Sequence, residues 1–130
     1  MLATMAVQWV APLLAASVSL LTPELNFKGT EVALYPIERE IIIATNAERT
    51  RYGLAPLQID RSLVQTARAH TVWMARYHIL QHTQIGVAEN IAMGQTTPAE
   101  TVGDWMQSPG HRANLLNASY TRIGVCLYGT

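Results

Sequence analysis

The first feature of the chain is a run of apolar residues that precedes any periodic pattern. From Met1 to Leu21 no residue is charged, and a membrane span needs about 20 apolar residues. We therefore interpret residues 1–22 as a signal peptide or as an uncleaved membrane anchor, in both cases outside the folded domain. The run has no Lys or Arg before its apolar part, and this absence weakens the interpretation as a signal peptide. An N-terminus that is not the natural one is the third alternative.

Helical spacing of apolar residues begins after a short linker. Residues 23–35 show no helical period, so we predict a linker there and a single domain over residues 36–130. Pro36 suits the first turn of a helix over residues 36–52, which Gly53 ends. The predicted inward face of this helix consists of Ile37, Ile41, Ala44 and Glu48.

A second helix is predicted over residues 60–77, with Asp60 as its N-terminal cap. Apolar residues three and four positions apart define its expected inward face. These positions are Leu63, Ala67, His70, Met74 and Tyr77. Trp73 on this helix and Trp105 on the next are expected to be core residues, and a platform for a ligand is the alternative.

Two more helices and two strands follow. Thr97 with Pro98 and Glu100 forms a capping box for a third helix, and Ser108 before Pro109 begins a short fourth one. Residues 120–128 are rich in β-branched and aromatic side chains and predict a strand, and a shorter strand is expected at residues 90–93. Four helices with a few strands indicate the α+β class.

Composition excludes one class of partner and one source of stability. Nine Lys and Arg residues balance nine Asp and Glu residues, whereas nucleic acid binding needs a basic surplus. We therefore expect no nucleic acid partner. Cys126 is the single cysteine, so no intramolecular disulfide can form and the domain must be held together by packing.

Several ordered motifs together resemble the bacterial form of the CAP superfamily, which is also called SCP-like. The resemblance covers roughly residues 37 to 128. The segments that carry it are Asn46–Arg49, Gly53–Leu57, His70–Met74, Gln81–Thr83, Ala88–Ala92, Trp105–Asn117 and Ile123–Val125. It implies an α-β-α sandwich with a small antiparallel sheet between helical layers. It also implies a secreted or envelope-anchored protein, in contact with a membrane only through the N-terminal run if that run is uncleaved.

The sequence departs from the family pattern at its last strand. Family members normally continue into a further long strand, so the predicted strand at residues 120–128 would lack its hairpin partner and leave an exposed edge. Residues Glu31–Leu34 can supply that partner, or another chain can, or the sequence is a fragment.

The resemblance further implies a cleft with two histidines and two acidic residues, which suits a divalent metal such as zinc. His82 and Glu89 match the first histidine and the first acid. Ser108 and Ser119 stand where the second acid and the second histidine are expected. His111 lies close to Ser108 in sequence and is the candidate substitute, so the predicted metal ligands are His82, Glu89 and His111.

Each of these residues also has a structural interpretation. His82 and Glu89 can form a polar network that holds a loop without a metal. His70 is expected to be a core histidine bonded to a backbone carbonyl, and His111 to tie the fourth helix to the following loop. Ser108 is expected to be an N-cap rather than a nucleophile, since no nucleophile-elbow motif surrounds it.

Three functions remain open at this point. The preferred one is a non-catalytic extracytoplasmic binding module for an unknown protein or small-molecule ligand, with a divalent-metal cleft. The alternative is a metal-dependent hydrolase with Glu89 as general base. Lipid or sterol binding, which the family resemblance also suggests, is the third.

Overall fold

The computed structural model describes the backbone of residues 5–12 and the chain from residue 32 to residue 128. Four helices and four strands occur in these ranges, which confirms the α+β class. In chain order they are β1 (Met5–Pro12), α1 (Pro36–Arg51), β2 (Gln58–Ile59), α2 (Arg61–Tyr77), β3 (Ala88–Met93), α3 (Pro98–Gln107), α4 (Pro109–Leu115) and β4 (Tyr120–Tyr128). The four predicted helices are all present, within a residue or two of their expected bounds.

Side chains and prolines at the N-termini explain where the helices begin. Asp60 accepts a hydrogen bond from the backbone N–H of Leu63 at 3.1 Å, and Thr97 accepts one from Glu100 at 3.1 Å. These bonds satisfy backbone donors that a helix end leaves without a partner. Pro36, Pro98 and Pro109 each occupy the first position of a helix, where the missing N–H costs nothing.

The four strands form one sheet in the order β2-β4-β1-β3. β1 is antiparallel to both of its neighbours, and it pairs with β4 from Met5 opposite Tyr128 to Pro12 opposite Tyr120. β2 adds a parallel pairing of two residues at the outer side of β4.

The position of β1 corrects the expectation that the apolar run lies outside the domain. Met5–Pro12 lies inside the sheet and supplies the strand that pairs with β4, a role that the sequence had suggested for Glu31–Leu34. Residues 1–4 and 13–31, which include most of the predicted linker, lie outside the described residues. Export and anchoring stay predictions. Within the described part of the chain, no helix is long and apolar enough to cross a membrane.

Helices cover both faces of the sheet, as the resemblance implies. One core cluster joins α1, α3 and α4 to the sheet through Ile41, Val102, Trp105, Leu115, Ile123 and Val125. The other joins α2 to the opposite face through Leu63, Ala67, Met74, Ile91 and Cys126. Neighbouring strand residues such as Val125 and Cys126 therefore belong to different clusters, because side chains alternate across a strand.

Two predicted helix faces need correction. On α1 the buried positions are Glu38, Ile41, Ile42, Thr45 and Arg49, so of the four expected residues only Ile41 is fully buried. On α2, Leu63, Ala67 and Met74 are buried as expected, but Trp73 is 40% exposed and Tyr77 is 55% exposed. Each helical residue is turned by about 100° from the one before it. Trp73 therefore points away from the stripe to which the buried Met74 belongs.

Candidate functional site

A buried carboxylate on β3 is the centre of the candidate site. The Glu89 side chain is only 4% exposed. Its Oε2 atom accepts a hydrogen bond from the Thr83 backbone N–H at 2.8 Å and lies 3.0 Å from Nδ1 of His82. Its Oε1 atom lies 3.4 Å from Nε2 of His70 and makes no hydrogen bond within the part of the chain that the structure describes. The structure thus brings two histidines, from a loop and from α2, to the two oxygens of one carboxylate.

The loop between α2 and β3 is held in place by His70. His78 ends α2 in the left-handed conformation, with φ 53°, and the Ile79 N–H returns to the Met74 carbonyl at 3.1 Å. The loop then folds back so that His70 Nε2 lies 2.7 Å from the carbonyl oxygen of Gln81. A carbonyl oxygen only accepts, so Nε2 is the donor. This confirms the predicted bond of His70 to a backbone carbonyl.

His82 differs from Glu89 in its exposure. Its side chain is 60% exposed, although its Nδ1 atom contacts the buried carboxylate. Because a carboxylate only accepts hydrogen bonds, Nδ1 donates, and in the neutral ring Nε2 is left as the acceptor nitrogen. A carboxylate behind an imidazole fixes its tautomer and its orientation, as it does for histidines that bind metals or ligands.

His111 lies on α4, next to β3. Burial lowers the pKa of His111, and the electrostatic effect of His82 lowers it further. The carbonyl oxygen of His111 accepts a hydrogen bond from the Asn90 side chain at 3.0 Å. This contact is made by the backbone of His111 toward β3, so the predicted tie of its side chain to the loop before β4 stays a prediction.

Asn90 and Asn114 link α4 to β3 beside Glu89. Asn114 Nδ2 donates to Asn90 Oδ1 at 2.9 Å and to the Glu89 carbonyl at 3.4 Å. Asn117, in contrast, bonds the turn after α4, where its Oδ1 accepts from the Ser119 N–H at 2.9 Å.

The two serines of the predicted cleft, Ser108 and Ser119, lie before and after α4 in the chain. Ser108 lies between α3 and α4 as the last cap of one and the first cap of the other, and its side chain makes no capping hydrogen bond to α4. Ser119 is exposed and its Oγ donates to Asn117 Oδ1 at 2.7 Å. Among the residues that the structure describes, no group of three or more His, Cys, Asp or Glu side chains is arranged to hold a metal ion.

An open, mostly apolar depression of about 300 Å³ lies elsewhere on the surface, between α1 and the start of α3. Its lining residues are Glu40, Ile43, Ala44, Thr97, Pro98 and Ala99. It shares no residue with the site around Glu89. It is therefore a separate surface feature.

Comparison with known proteins agrees with this fold. The chain is similar to an uncharacterized protein, YkwD, of Bacillus subtilis, with 41% identity over 105 residues that make up 68% of this chain and 41% of YkwD. It is also similar to an uncharacterized membrane protein, YlbC, of the same organism, with 31% identity over 107 residues, or 68% of this chain and 30% of YlbC. The chain thus spans less than half the length of these relatives.

A solved structure and a family model cover the same domain. The structure of an outer surface protein from Borrelia burgdorferi superposes with a TM-score of 0.53 at 18% identity, over 78% of this chain and 98% of that one. This likeness concerns the fold alone. The model of the cysteine-rich secretory protein family, CAP, matches residues 42–130. With its α-β-α layers and this match over more than half of its length, the chain belongs to the CAP family.

Proposed function

We propose that this chain is an extracytoplasmic, non-catalytic binding module whose ligand contacts the exposed imidazole of His82. The observation that carries the proposal is the contrast within one hydrogen-bonded pair, since Glu89 is buried and His82 is mostly exposed. A buried carboxylate fixes the ring, so that Nε2 is presented to solvent in one orientation without further ordering on binding. Such preorganisation is typical of a recognition site.

The location is supported by the relatives. YlbC is described as a membrane protein, and the Borrelia burgdorferi protein as an outer surface protein. These descriptions favour a secreted or envelope-anchored position for this chain as well. Fractionation of the producing cells tests it, and recovery of the chain in the cytoplasmic fraction alone contradicts it.

A divalent cation is the second candidate ligand, because the exposed ring of His82 is oriented by Glu89 and the electrostatic effect of His82 on His111 points to a second imidazole nearby. These two would hold the ion, and Glu89 would orient His82 from behind. The described side chains do not assemble three protein ligands, so they do not fit a resident zinc of the four-ligand type. They suit only a loosely held ion that keeps several waters.

The catalytic alternative requires Glu89 to act as a general base. Its Oε2 already accepts from the Thr83 N–H and from His82, and the whole side chain is buried. A base must reach the proton that it removes, so this environment favours an orienting role. Peptide, ester and glycan substrates assayed with and without zinc test this point. A hydrolytic activity that is lost on chelation and restored by zinc would overturn the non-catalytic assignment.

The imidazole NMR spectrum of the full chain tests the site itself. We expect His82 to be held in the form protonated at Nδ1, and Glu89→Gln to release this preference. His78→Asn is the matched control, since His78 is also an exposed histidine of this loop and Asn tolerates its left-handed backbone. A His82 ring that averages between both tautomers in the unmodified chain would show that the proposed site is wrong.

Zinc added to the same sample tests the cation. Shifts confined to His82 and His111, absent in His82→Ala, support a loosely held ion. Unchanged spectra at millimolar zinc would exclude a divalent cation as the ligand and leave His82 as a contact for other ligands.

A further inference from the structure

Three aromatic rings follow one another along α2, from the largely buried His70 to the exposed Trp73 and Tyr77. The rings of His70 and Trp73 are stacked, with centroids 5.7 Å apart and planes 12° apart. Trp73 and Tyr77 follow with centroids 5.4 Å apart and a tilt of 49°. We call these three residues the aromatic ledge. The ledge is not part of the core, since Trp73 and Tyr77 are both substantially exposed.

Exposed apolar side chains also occur in the loop after α2. They belong to Ile79, Leu80 and Ile85. Single exposed apolar residues are normal, but stacked aromatic rings at the surface of a small domain are suited to binding.

The ledge runs directly into the candidate site. His70 belongs to both, because its ring stacks on Trp73 while its Nε2 lies 3.4 Å from Glu89 Oε1. His82 contacts the other oxygen of the same carboxylate. A ligand that covers Trp73 and extends past His70, whose Nε2 is already bonded to Gln81, would therefore meet the exposed imidazole of His82 at one end of the aromatic surface. Sugar rings match this combination, since their C–H faces stack on aromatic rings and their hydroxyls take hydrogen bonds.

The charged residues near the ledge indicate which class of sugar would bind there. Residues 61–87, which form α2 and the following loop, contain three arginines and three histidines and no acidic residue. Arg68 is engaged by the buried Glu38, but Arg76 is exposed and its guanidinium lies 5.9 Å from the Tyr77 ring centre. A cation at the edge of the ledge is complementary to carboxylate groups on the ligand.

We propose that the aromatic ledge binds a carbohydrate chain that carries carboxylate groups, with sugar rings on Trp73 and Tyr77 and a carboxylate beside Arg76. This goes beyond the binding module described above, because it names the ligand class and a surface outside His82 and Glu89. It requires neither a cation nor the His82 tautomer, so the two proposals can fail separately.

A tetramer of α-1,4-linked galacturonic acid is the probe, and its methyl ester, which has the same sugar rings and linkage but no charge, is the matched neutral tetramer. The readout is the indole N–H signals of the full chain in amide NMR, assigned with Trp73→Phe. We expect the acidic tetramer to shift the Trp73 indole and the amides of α2, and the neutral tetramer to shift them less. Both tetramers leaving the ledge signals unchanged would overturn the proposal.

Variants separate stacking from charge. We expect Trp73→Ala and Tyr77→Ala each to weaken binding of the acidic tetramer by about tenfold, the effect of losing one stacked ring. Arg76→Gln should weaken the acidic tetramer by about fivefold and leave the neutral one unchanged. Arg61→Gln is the control, since Arg61 is an exposed arginine at the other end of α2. Equal losses with Arg61→Gln and Arg76→Gln would contradict the specific contact.

Folding and a competing occupant are checked in the same samples. If Trp73→Ala alters the whole amide spectrum, Tyr77→Ala and Arg76→Gln, both at exposed positions, carry the test instead. Vesicles of phosphatidylcholine with phosphatidylglycerol are the second probe. A Trp73 signal that responds to vesicles and to neither tetramer would assign the ledge to a lipid surface and overturn the carbohydrate proposal.

Discussion

The buried guanidinium of Arg49, at the end of α1, donates a 2.7 Å hydrogen bond to the carbonyl oxygen of Leu115, 66 residues further along the chain. The same group also donates to the carbonyls of Ala55, Asn117 and Tyr120, at 2.9, 3.0 and 3.2 Å. One side chain therefore supplies hydrogen-bond donors to backbone carbonyls in the loop after α1, at the end of α4 and at the start of β4. Burial lowers the pKa of Arg49, and the four carbonyls offset part of its desolvation.

Replacement of Arg49 by lysine should destabilise the domain strongly. A lysine ammonium is a compact charge and cannot reproduce the planar fork that reaches carbonyls in several directions. We expect Arg49→Lys to lower the free energy of unfolding by about 2–4 kcal/mol, measured by urea denaturation. Arg51→Lys, at an exposed position two residues away, is the control and should change it by less than about 0.5 kcal/mol. Equal effects of the two variants would contradict the role of Arg49.

Gly124 on β4 should not tolerate any side chain. A Cβ atom there would lie 2.2 Å from the carbonyl carbon of Leu63 and 2.4 Å from the backbone nitrogen of Val64, both on α2. Backbone cannot yield as a flexible side chain can, so Gly124→Ala should lower the thermal midpoint and cost about 2–3 kcal/mol.

Gly103 within α3 is the matched control for this substitution. A Cβ atom there meets nothing within 4 Å, and alanine is a better helix former than glycine. Gly103→Ala should therefore raise stability by about 0.5–1 kcal/mol. A Gly124→Ala variant as stable as Gly103→Ala would show that α2 does not approach β4 this closely.

The titration of His111 should reveal its neighbour His82. Burial and the nearby His82 both lower the pKa of His111, so the folded state favours the neutral ring more than the unfolded state does. The resulting stability is present above the unfolded pKa and is lost as the pH falls below it. We expect the NMR-measured pKa of His111 to lie below the ordinary value of a histidine and to rise partway in His82→Ala. An unchanged value in that variant would place the two imidazoles out of reach of each other.

Removal of β1 should expose the strands on both sides of it. Deletion of residues 1–12 takes away the strand that lies between β3 and β4, and unpaired strand edges invite aggregation. We expect this variant to lose cooperative unfolding or to aggregate, whereas deletion of residues 1–4, ahead of the strand, should leave a dispersed amide spectrum. A well-folded chain without residues 1–12 would show that β1 is dispensable.

The mass of the mature protein tests whether the N-terminal run is a signal peptide. Cleavage after residue 22 would remove β1 along with the leader. The measured mass therefore distinguishes a cleaved signal peptide from a retained N-terminal run, which the apolar composition cannot do. A mature chain that retains Met5–Pro12 favours a structural strand or an anchor.

Local patterns were sufficient for the helices and for the last strand. Asp60 and Thr97 cap α2 and α3 as predicted, because a capping bond involves residues only three positions apart. The pairing of His82 with Glu89 was predicted from ordered motifs and is present as a 3.0 Å contact. Whether that pair holds a cation stays a prediction.

The sequence by itself determined the family, the α+β class, the helix bounds and the central pair of the candidate site. Only the tertiary structure decided that Met5–Pro12 joins the sheet, that Trp73 faces solvent, and that His70 connects the aromatic ledge to Glu89. Each of these depends on contacts between segments far apart in the chain. Apolar spacing predicts which residues share a helix face, but it does not show which face has a neighbour to pack against. An apolar run is equally suited to a leader, an anchor or a buried strand until the strands that pair with it are in place.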